Sequence, residues 1–335
     1  MDTRMNEAGS PAAAALVALD WGTSSLRAFL MDAGGAVLAE RAGTHGIRHL
    51  PQPGPAGFRQ ALAAIAGDWL DAGPGLPLVA CGMVGSAQGW REAPYVGCPA
   101  DVATLAAHAA RVDDAAQRPL WIAPGLLYEP PGAAPDVMRG EEVQIAGALA
   151  LQPALARRAC IVLPGTHSKW AWIEHGRVTA FRTYMTGEVY AVLRGHSLLG
   201  QLMAAPAQPE AVAADAEAAF DAGLEAARAS RPGDLTHQLF ATRTLGLTGR
   251  VPAHALADYL SGLLIGHEIV SALAQGDPAA QEDAPLLLVG EAGLTRRYAQ
   301  ALQRLGRAPA AELGNTAPQG LWRFAAAAGL IHTAT

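Results

Sequence analysis

Hydrophobic and polar positions along the 335-residue chain repeat one arrangement twice. In the first copy an apolar run, Leu16-Val17-Ala18-Leu19, meets the turn Asp20-Trp21-Gly22-Thr23-Ser24-Ser25, continues over 26–31, turns at Gly34-Gly35 and returns over 37–41. The second copy has Cys160-Ile161-Val162-Leu163, the turn Pro164-Gly165-Thr166-His167-Ser168, a segment over 169–173, the turn His175-Gly176 and a return over 177–183. About eleven or twelve residues separate each Gly-Thr pair from the next glycine turn, so the copies match in length as well as order. Short apolar runs bounded by glycine read as strands. Two such units predict a duplicated fold around a shared cleft.

The rest of the pattern alternates. Helical spacing predicts helices over 58–70, 102–111, 137–149, 258–273 and 296–305, and apolar runs predict strands at 78–81, around 120–122 and at 285–289. Residues 82–90 form a glycine loop, 128–136 a Pro- and Gly-rich loop, and 153–158 a hinge.

The Gly-Thr turns carry the first candidate chemistry. Glycine lets backbone approach a ligand closely, and hydroxyls with successive N–H groups make a concave donor surface suited to phosphate oxygens. Gly22, Thr23, Ser24 and Ser25 in one turn and Gly165, Thr166 and His167 in the other are therefore placed to grip one polyphosphate from two sides. Asp20, at the end of a buried strand, either caps its turn or holds Mg²⁺ through water. The chain has 24 basic side chains, and 23 of them are arginine. The single lysine is Lys169, just after the second turn; a compact ammonium there contacts phosphate or a substrate carboxylate, unless it is simply a solvated strand residue. The run Arg139-Gly140-Glu141-Glu142 opens a helix before the second copy, which makes Glu141, with Glu142 as the alternative, the candidate general base; acidic residues in a first helical turn also complement the helix dipole. At the third glycine element, Gly290-Glu291-Ala292-Gly293, a flat base or ribose can lie against backbone.

Composition narrows the field. With 51% hydrophobic residues the chain can bury a large core, and two domains are expected, 13–155 and 156–335, after a disordered tail over 1–12. A net charge of −6, with no basic stripe, argues against nucleic acid as a partner. Cys81, Cys98 and Cys160 show no Cys-x-x-Cys pairing, which fits a reducing compartment, so a cytoplasmic location is expected. No apolar run is read as a membrane span. His267-Glu268 begins like a zinc motif, but Ser271 stands where the second ligand belongs.

The order of these elements resembles the sugar kinase, Hsp70 and actin superfamily. Asp20-Trp21-Gly22-Thr23-Ser24-Ser25-Leu26-Arg27, Gly82-Met83-Val84-Gly85-Ser86, Val137-Met138-Arg139-Gly140-Glu141-Glu142, Pro164-Gly165-Thr166-His167-Ser168-Lys169-Trp170, Arg182-Thr183-Tyr184-Met185-Thr186-Gly187-Glu188 and Ser261-Gly262-Leu263-Leu264-Ile265-Gly266 together resemble the 2-dehydro-3-deoxygalactonokinase family over about 16–329. The resemblance implies two duplicated ribonuclease-H-like (actin/hexokinase-like) domains, each a mixed α/β sheet flanked by helices, around an ATP cleft. It implies transfer of the ATP γ-phosphoryl to the 6-hydroxyl of 2-dehydro-3-deoxy-D-galactonate, with Mg²⁺ as a second cofactor, and Gly290 and Gly293 at the adenosine. A small anionic sugar acid needs a cation for its carboxylate, for which Arg27, Arg139 and Arg182 are the candidates. The loop at Gly82 and Met83, with Ser86 and Trp90, offers amides, a hydroxyl and an aromatic wall, although Trp90 reads equally as core. Two departures stand out: Gly290-Glu291-Ala292-Gly293 where Gly-Thr-Ser is usual, and Gly314-Asn315-Thr316 where an Asp is common. The apolar helices at 261–273 and 320–331 are either core or the surface of a homodimer.

Overall fold

The computed structural model describes residues 6–7, 13–203, 209–274 and 284–332. They form two compact units, the first drawn from the chain up to Ala159, Ala171–Phe181 and the residues from Asn315 onward, the second from Cys160–Trp170 and Arg182–Gly314. In the first unit, β1 (Asn6–Glu7), β2 (Ala14–Trp21), β3 (Leu26–Asp32), β4 (Val37–Gly43), β5 (Leu78–Gly82), β7 (Ala110–Val112) and β8 (Leu120–Ile122) make one sheet in the order β1-β4-β3-β2-β5-β8-β7. The strands at its centre are buried on both faces and therefore read as unbroken apolar runs: all five residues of β5 are buried, as are Leu16 to Leu19 of β2. Helix α1 (Pro55–Ala72) lays Phe58, Leu62, Ile65 and Trp69 into the core shared with Val17, Leu19 and Leu30.

A second sheet, β13 (Arg177–Tyr184), β12 (Ser168–Glu174), β11 (Arg158–Leu163), β14 (Leu286–Val289) and β15 (Ala311–Leu313), is joined in the order β13-β12-β11-β14-β15. Five strands of the first sheet run β4-β3-β2-β5-β8, so both sheets place the hairpin copy on one side and two later strands on the other. In both, the later strands are parallel to the first strand of the copy. The duplication expected from the two Gly-Thr turns is thus a duplication of topology.

Some boundaries differ from the pattern. The helix expected over 102–111 is α2 (Val102–Ala107) only, with Asp101 capping it through Thr104 N–H at 2.8 Å; Ala110–Val112 instead pair antiparallel with β8. Hydrogen bonding offered by a sheet edge outweighs the helical propensity of these three residues, which tertiary context readily overrides. The loop expected over 128–136 connects β9 (Gly125–Tyr128) to β10 (Asp136–Met138), a hairpin that β6 (Tyr95–Gly97) extends, so residues 137–138 are paired as strand and the helix expected from there begins only at Glu141. Of the tail, only Asn6–Glu7 lie among the described residues, where they pair with Glu40 and Ala39. Three helices, α4 (Thr186–His196), α5 (Pro209–Arg228) and α6 (Leu235–Leu247), follow the second hairpin copy and were not foreseen. Residues 253–274, which include α7 (Leu256–Ala274), are long and apolar enough to cross a membrane by length and composition, which amends the reading that no run is; most of that stretch is buried inside the protein.

Helix α8 (Ala292–Arg304) follows β14, and α9 (Ala317–Ala327) belongs to the first unit, where it packs on α3 (Glu141–Leu151). The two helices meet backbone to backbone: a Cβ on Gly320 would lie 1.9 Å from Val143 O, and one on Gly147 would lie 2.0 Å from Thr316 O. Thr316 Oγ1 adds a hydrogen bond to Gln144 O at 2.7 Å. Both α7 and α9 bury most of their apolar side chains inside the chain. Replacing Gly320 with Ala is expected to lower the unfolding free energy by about 1–3 kcal/mol through overpacking. Gly67→Ala on α1, where the new methyl meets only Ala63 Cβ at 3.9 Å, is expected to raise it by up to about 1 kcal/mol. Denaturant midpoints of the two variants check both signs.

Candidate active site

Strand β2 ends at Asp20 and Trp21, and beside it β5 ends at Cys81 and Gly82. Parallel neighbours deliver their carboxyl ends to one edge, where α/β sheets place ligands. Gly82 has φ 89°, and a Cβ there would lie 2.8 Å from Trp21 O. Gly140 has φ 106°, and its added Cβ would fall 3.3 Å from Gly82 Cα. Only glycine suits these two backbones at that separation. The contact brings the start of α3 onto the sheet edge, which is how residues more than a hundred apart in sequence come together.

Three carboxylates gather there. Asp20 forms an ion pair with Arg27 at 3.5 Å. Burial pushes its pKa up, the Arg27 charge opposes that, and the charge of Glu141 adds to the rise. Glu141 is partly exposed and accepts the Arg139 backbone N–H at 3.0 Å. Glu142 is 2% exposed and folds back to take the Gly140 N–H on both oxygens, at 2.9 and 2.7 Å. Burial, and then the neighbouring Glu141 charge, push the Glu142 pKa from 4.5 to about 8. Cys81, buried in the same corner, has its thiol pushed well above the usual range by burial and by the Asp20 and Glu142 charges.

The first Gly-Thr turn borders this cluster. Gly22 N–H closes it onto Ser25 O at 2.9 Å, while Ile47 and Arg48 donate to Gly22 O and Thr23 O at 3.1 and 3.0 Å. Ser24 and Ser25 are exposed. Arg139 donates from Nη2 to Ala93 O at 2.8 Å and lies 4.4 Å from the Tyr95 ring centroid; its Nε and Nη1, like Ser86 Oγ, are buried with no hydrogen-bond partner among the described residues. Met83 is partly buried in the single turn after β5. Trp90 stacks on Phe58, with ring centroids 5.4 Å apart, and meets Trp21 edge to face at 6.0 Å, so it packs with the core of the first unit.

The other expected residues lie in the second unit. Lys169 is 4% exposed and reaches His167 O with Nζ at 3.4 Å. Thr166 and His167 are exposed; His167 pairs with Glu188, whose own N–H donates to Thr166 O at 3.0 Å. Arg182 is partly buried near the end of β13. A cavity of about 270 Å³ is lined by Gly165, Thr186, Tyr190, Ser261, Arg297 and Tyr298 among others. Gly290 and Gly293 are not among its lining residues. Instead, Glu291 caps α8 by accepting the Gly293 and Leu294 N–H groups at 2.8 and 2.9 Å, so these amides are already satisfied by their own chain. The stretches 182–188 and 261–266 are family-like motifs in which Arg182 alone is a site candidate from the sequence, and Thr186, Gly187, Ser261, Leu264 and Ile265 from them line this cavity. His267 hydrogen-bonds Gln238 Oε1 at 2.6 Å, and no group of three His, Cys, Asp or Glu able to hold a metal ion occurs among the described residues.

The pKa of Glu142 makes stability depend on pH. The folded chain keeps this proton up to about pH 8, whereas the unfolded chain releases it near 4.5, so the unfolding free energy falls as pH rises through that window. Glu142→Gln is expected to remove that part of the slope. Denaturation of both proteins at several pH values across the window reads it directly.

The family model for 2-keto-3-deoxy-galactonokinase matches residues 20–324. The Escherichia coli (strain K12) 2-dehydro-3-deoxygalactonokinase is 38% identical over 303 residues, which cover 90% of this chain and 94% of that protein. A Rhizobium meliloti (strain 1021) protein designated DgoK1 is 38% identical over 290 residues, 86% of this chain and 89% of that one. A solved structure described as a 2-dehydro-3-deoxygalactonokinase protein from Sinorhizobium meliloti superposes with a TM-score of 0.75 at 34% identity, covering 93% of this chain and 98% of the other.

Proposed function

The chain belongs to the 2-keto-3-deoxy-galactonokinase family, and on that premise we propose that it transfers the γ-phosphoryl group of ATP to the 6-hydroxyl of 2-dehydro-3-deoxy-D-galactonate. The observation that carries this reading to particular residues is the carboxylate cluster of Asp20, Glu141 and Glu142 beside the open Gly22–Ser25 turn. Phosphoryl transfer asks mainly for positioning and for neutralisation of charge, with one base to take the hydroxyl proton.

Glu141 is that base. Its carboxylate is partly exposed and accepts the backbone N–H of Arg139, and the two oxygens of an ionised carboxylate offer about four lone-pair sites, enough to take a substrate hydroxyl as well. Glu142 supports it from below, since its own oxygens are turned onto Gly140 and shut away from solvent. Asp20 suits Mg²⁺, which is commonly held by one or two carboxylates together with waters and substrate phosphates rather than by a cage of protein ligands. Burial raises the Asp20 pKa against the opposing Arg27 charge, and a divalent cation offsets the cost of keeping that carboxylate charged. When bound, the ion offsets charge on the phosphoryl oxygens. The hydroxyls and amides of residues 22–25 and 165–167 bind phosphate, Lys169 adds a cation behind the second turn, and the cavity in the second unit takes the adenosine. Arg27, Arg139 and Arg182 remain the cations for the substrate carboxylate, and the Arg27 side chain is 39% exposed at its pairing with Asp20. A cytoplasmic setting, where ATP and a small sugar acid meet, is part of the same reading.

ADP release from Mg·ATP is expected to be stimulated strongly by 2-dehydro-3-deoxy-D-galactonate, weakly by its gluconate epimer and not by neutral sugars. Stimulation by the epimer alone reassigns the acceptor, and acceptor-independent hydrolysis points to a regulatory ATPase. Glu141→Gln is expected to lower kcat by about 100-fold or more with ATP binding kept; full activity in that variant, together with loss in Glu142→Gln, moves the base by one residue. Lys169→Met is expected to raise the KM for ATP by about tenfold, the loss of one charge-assisted contact.

A further inference from the structure

Glu268 lies in the middle of α7, 3% exposed, on a helix whose other buried residues are apolar apart from the Tyr259 hydroxyl. A carboxylate in such a place survives only if its oxygens are hydrogen-bonded. Here Trp170 Nε1–H donates to one oxygen at 2.8 Å and Tyr298 O–H to the other at 2.7 Å, and the hydroxyl of Thr186 also reaches it. The Tyr298 proton is spent on Glu268, so the 2.9 Å contact between Ser168 Oγ and Tyr298 is donated by the serine. A Ser168 lone pair then faces Gly165 N–H at 3.5 Å.

The donors come from three elements, of which α4 and α8 line the cavity and β12 follows a turn that does. Ser168 and Trp170 follow the Gly165-Thr166 turn on β12, Thr186 opens α4, and Tyr298 lies on α8. Gly165, Thr186 and Tyr298 are themselves lining residues. The start of α4 also presses on the turn: a Cβ on Gly187 would lie 2.4 Å from Gly165 O. Glu268 is thus the common acceptor that spaces a turn, a helix start and a second helix around one space.

We infer that Glu268 is a positioning residue for the nucleotide, acting through Tyr298, Ser168 and Thr186 to hold the Gly165-Thr166 turn and the cavity wall in the spacing that ATP requires. This rests on the reading of that cavity and turn as the nucleotide site. It goes beyond that reading in naming a buried residue, with no contact to substrate, on which ATP affinity depends.

The test uses the full chain with Glu268→Gln, which keeps shape but cannot accept from every donor, and Tyr298→Phe, which keeps the ring in the cavity wall and removes the O–H. ATP binding is measured at equilibrium with Mg·ATP in the absence of acceptor, beside steady-state KM values for both substrates. The expected result is a Kd and KM for ATP raised about tenfold in each variant, the loss of one hydrogen bond to a charged group, with the KM for the sugar acid within about twofold of the parent. ATP affinity within about twofold of the parent in both folded variants overturns the inference, and so does an equal rise in the KM of both substrates, which marks general loosening. If Glu268→Gln does not fold, Tyr298→Phe and Ser168→Ala decide on the same criteria. Failure of the parent protein to bind Mg·ATP counts instead against the nucleotide reading itself, so the two failures are told apart.

Discussion

Gly140 rests on Gly82 with both residues at positive φ, and the chemistry of the first unit depends on that contact. An added methyl on Gly140 would press on the end of β5 at Gly82, and one on Gly82 would strike Trp21 O on the neighbouring strand. With the approach intact, the first turn of α3 sits against the sheet edge where Asp20 emerges, and Glu141 and Glu142 fold back onto the amides of residues 139 and 140. Acidic residues at a helix start are ordinary complements of the helix dipole. Here the same pair is divided by burial into two chemical types, one carboxylate partly open and one closed off with its pKa raised to about 8.

Support for that geometry comes from the far end of the chain. Helix α9 returns to the first unit and crosses α3 at Gly147 and Gly320, where the two backbones are too close for any side chain. The acids at the start of α3 are therefore held by residues that follow them by more than a hundred and seventy positions, as the Thr316 bond to Gln144 shows. In the second unit a single buried carboxylate has the comparable role. Glu268 collects donors from β12, α4 and α8 around the wall of one cavity. Such polar networks specify one arrangement more sharply than apolar packing because each missing bond leaves a buried group unpaired.

Membership of a sugar-acid kinase family gives these arrangements a purpose. A reaction that needs little covalent participation from the protein can be served by backbone amides, hydroxyls, one base and well-placed charge. The side chains that stand out for burial, Glu142, Lys169 and Glu268, stand behind the more open groups, Glu141 and the two Gly-Thr turns. This division leaves the more open groups accessible while the buried ones are locked by the core.

Much was legible in the chain itself. The two hairpin copies, the central strands at 78–81 and 285–289 and the helix opened by Glu141 follow from local periodicity and glycine placement, signals that need no distant partner. The chemical identity of Asp20, Glu141 and Lys169 as candidates was equally local, because rarity and turn position are properties of sequence. What tertiary structure decided was contact and burial. It turned Ala110–Val112 from helix into strand by offering a sheet edge, packed Trp90 on Phe58, and spent the amides after Gly290 on Glu291. It also made Glu268, a lone acid in an apolar helix, the centre of a network assembled from residues 30 and 98 positions away. The physical reason is that solvation and hydrogen-bond partners belong to the space around a side chain, which the local sequence does not contain.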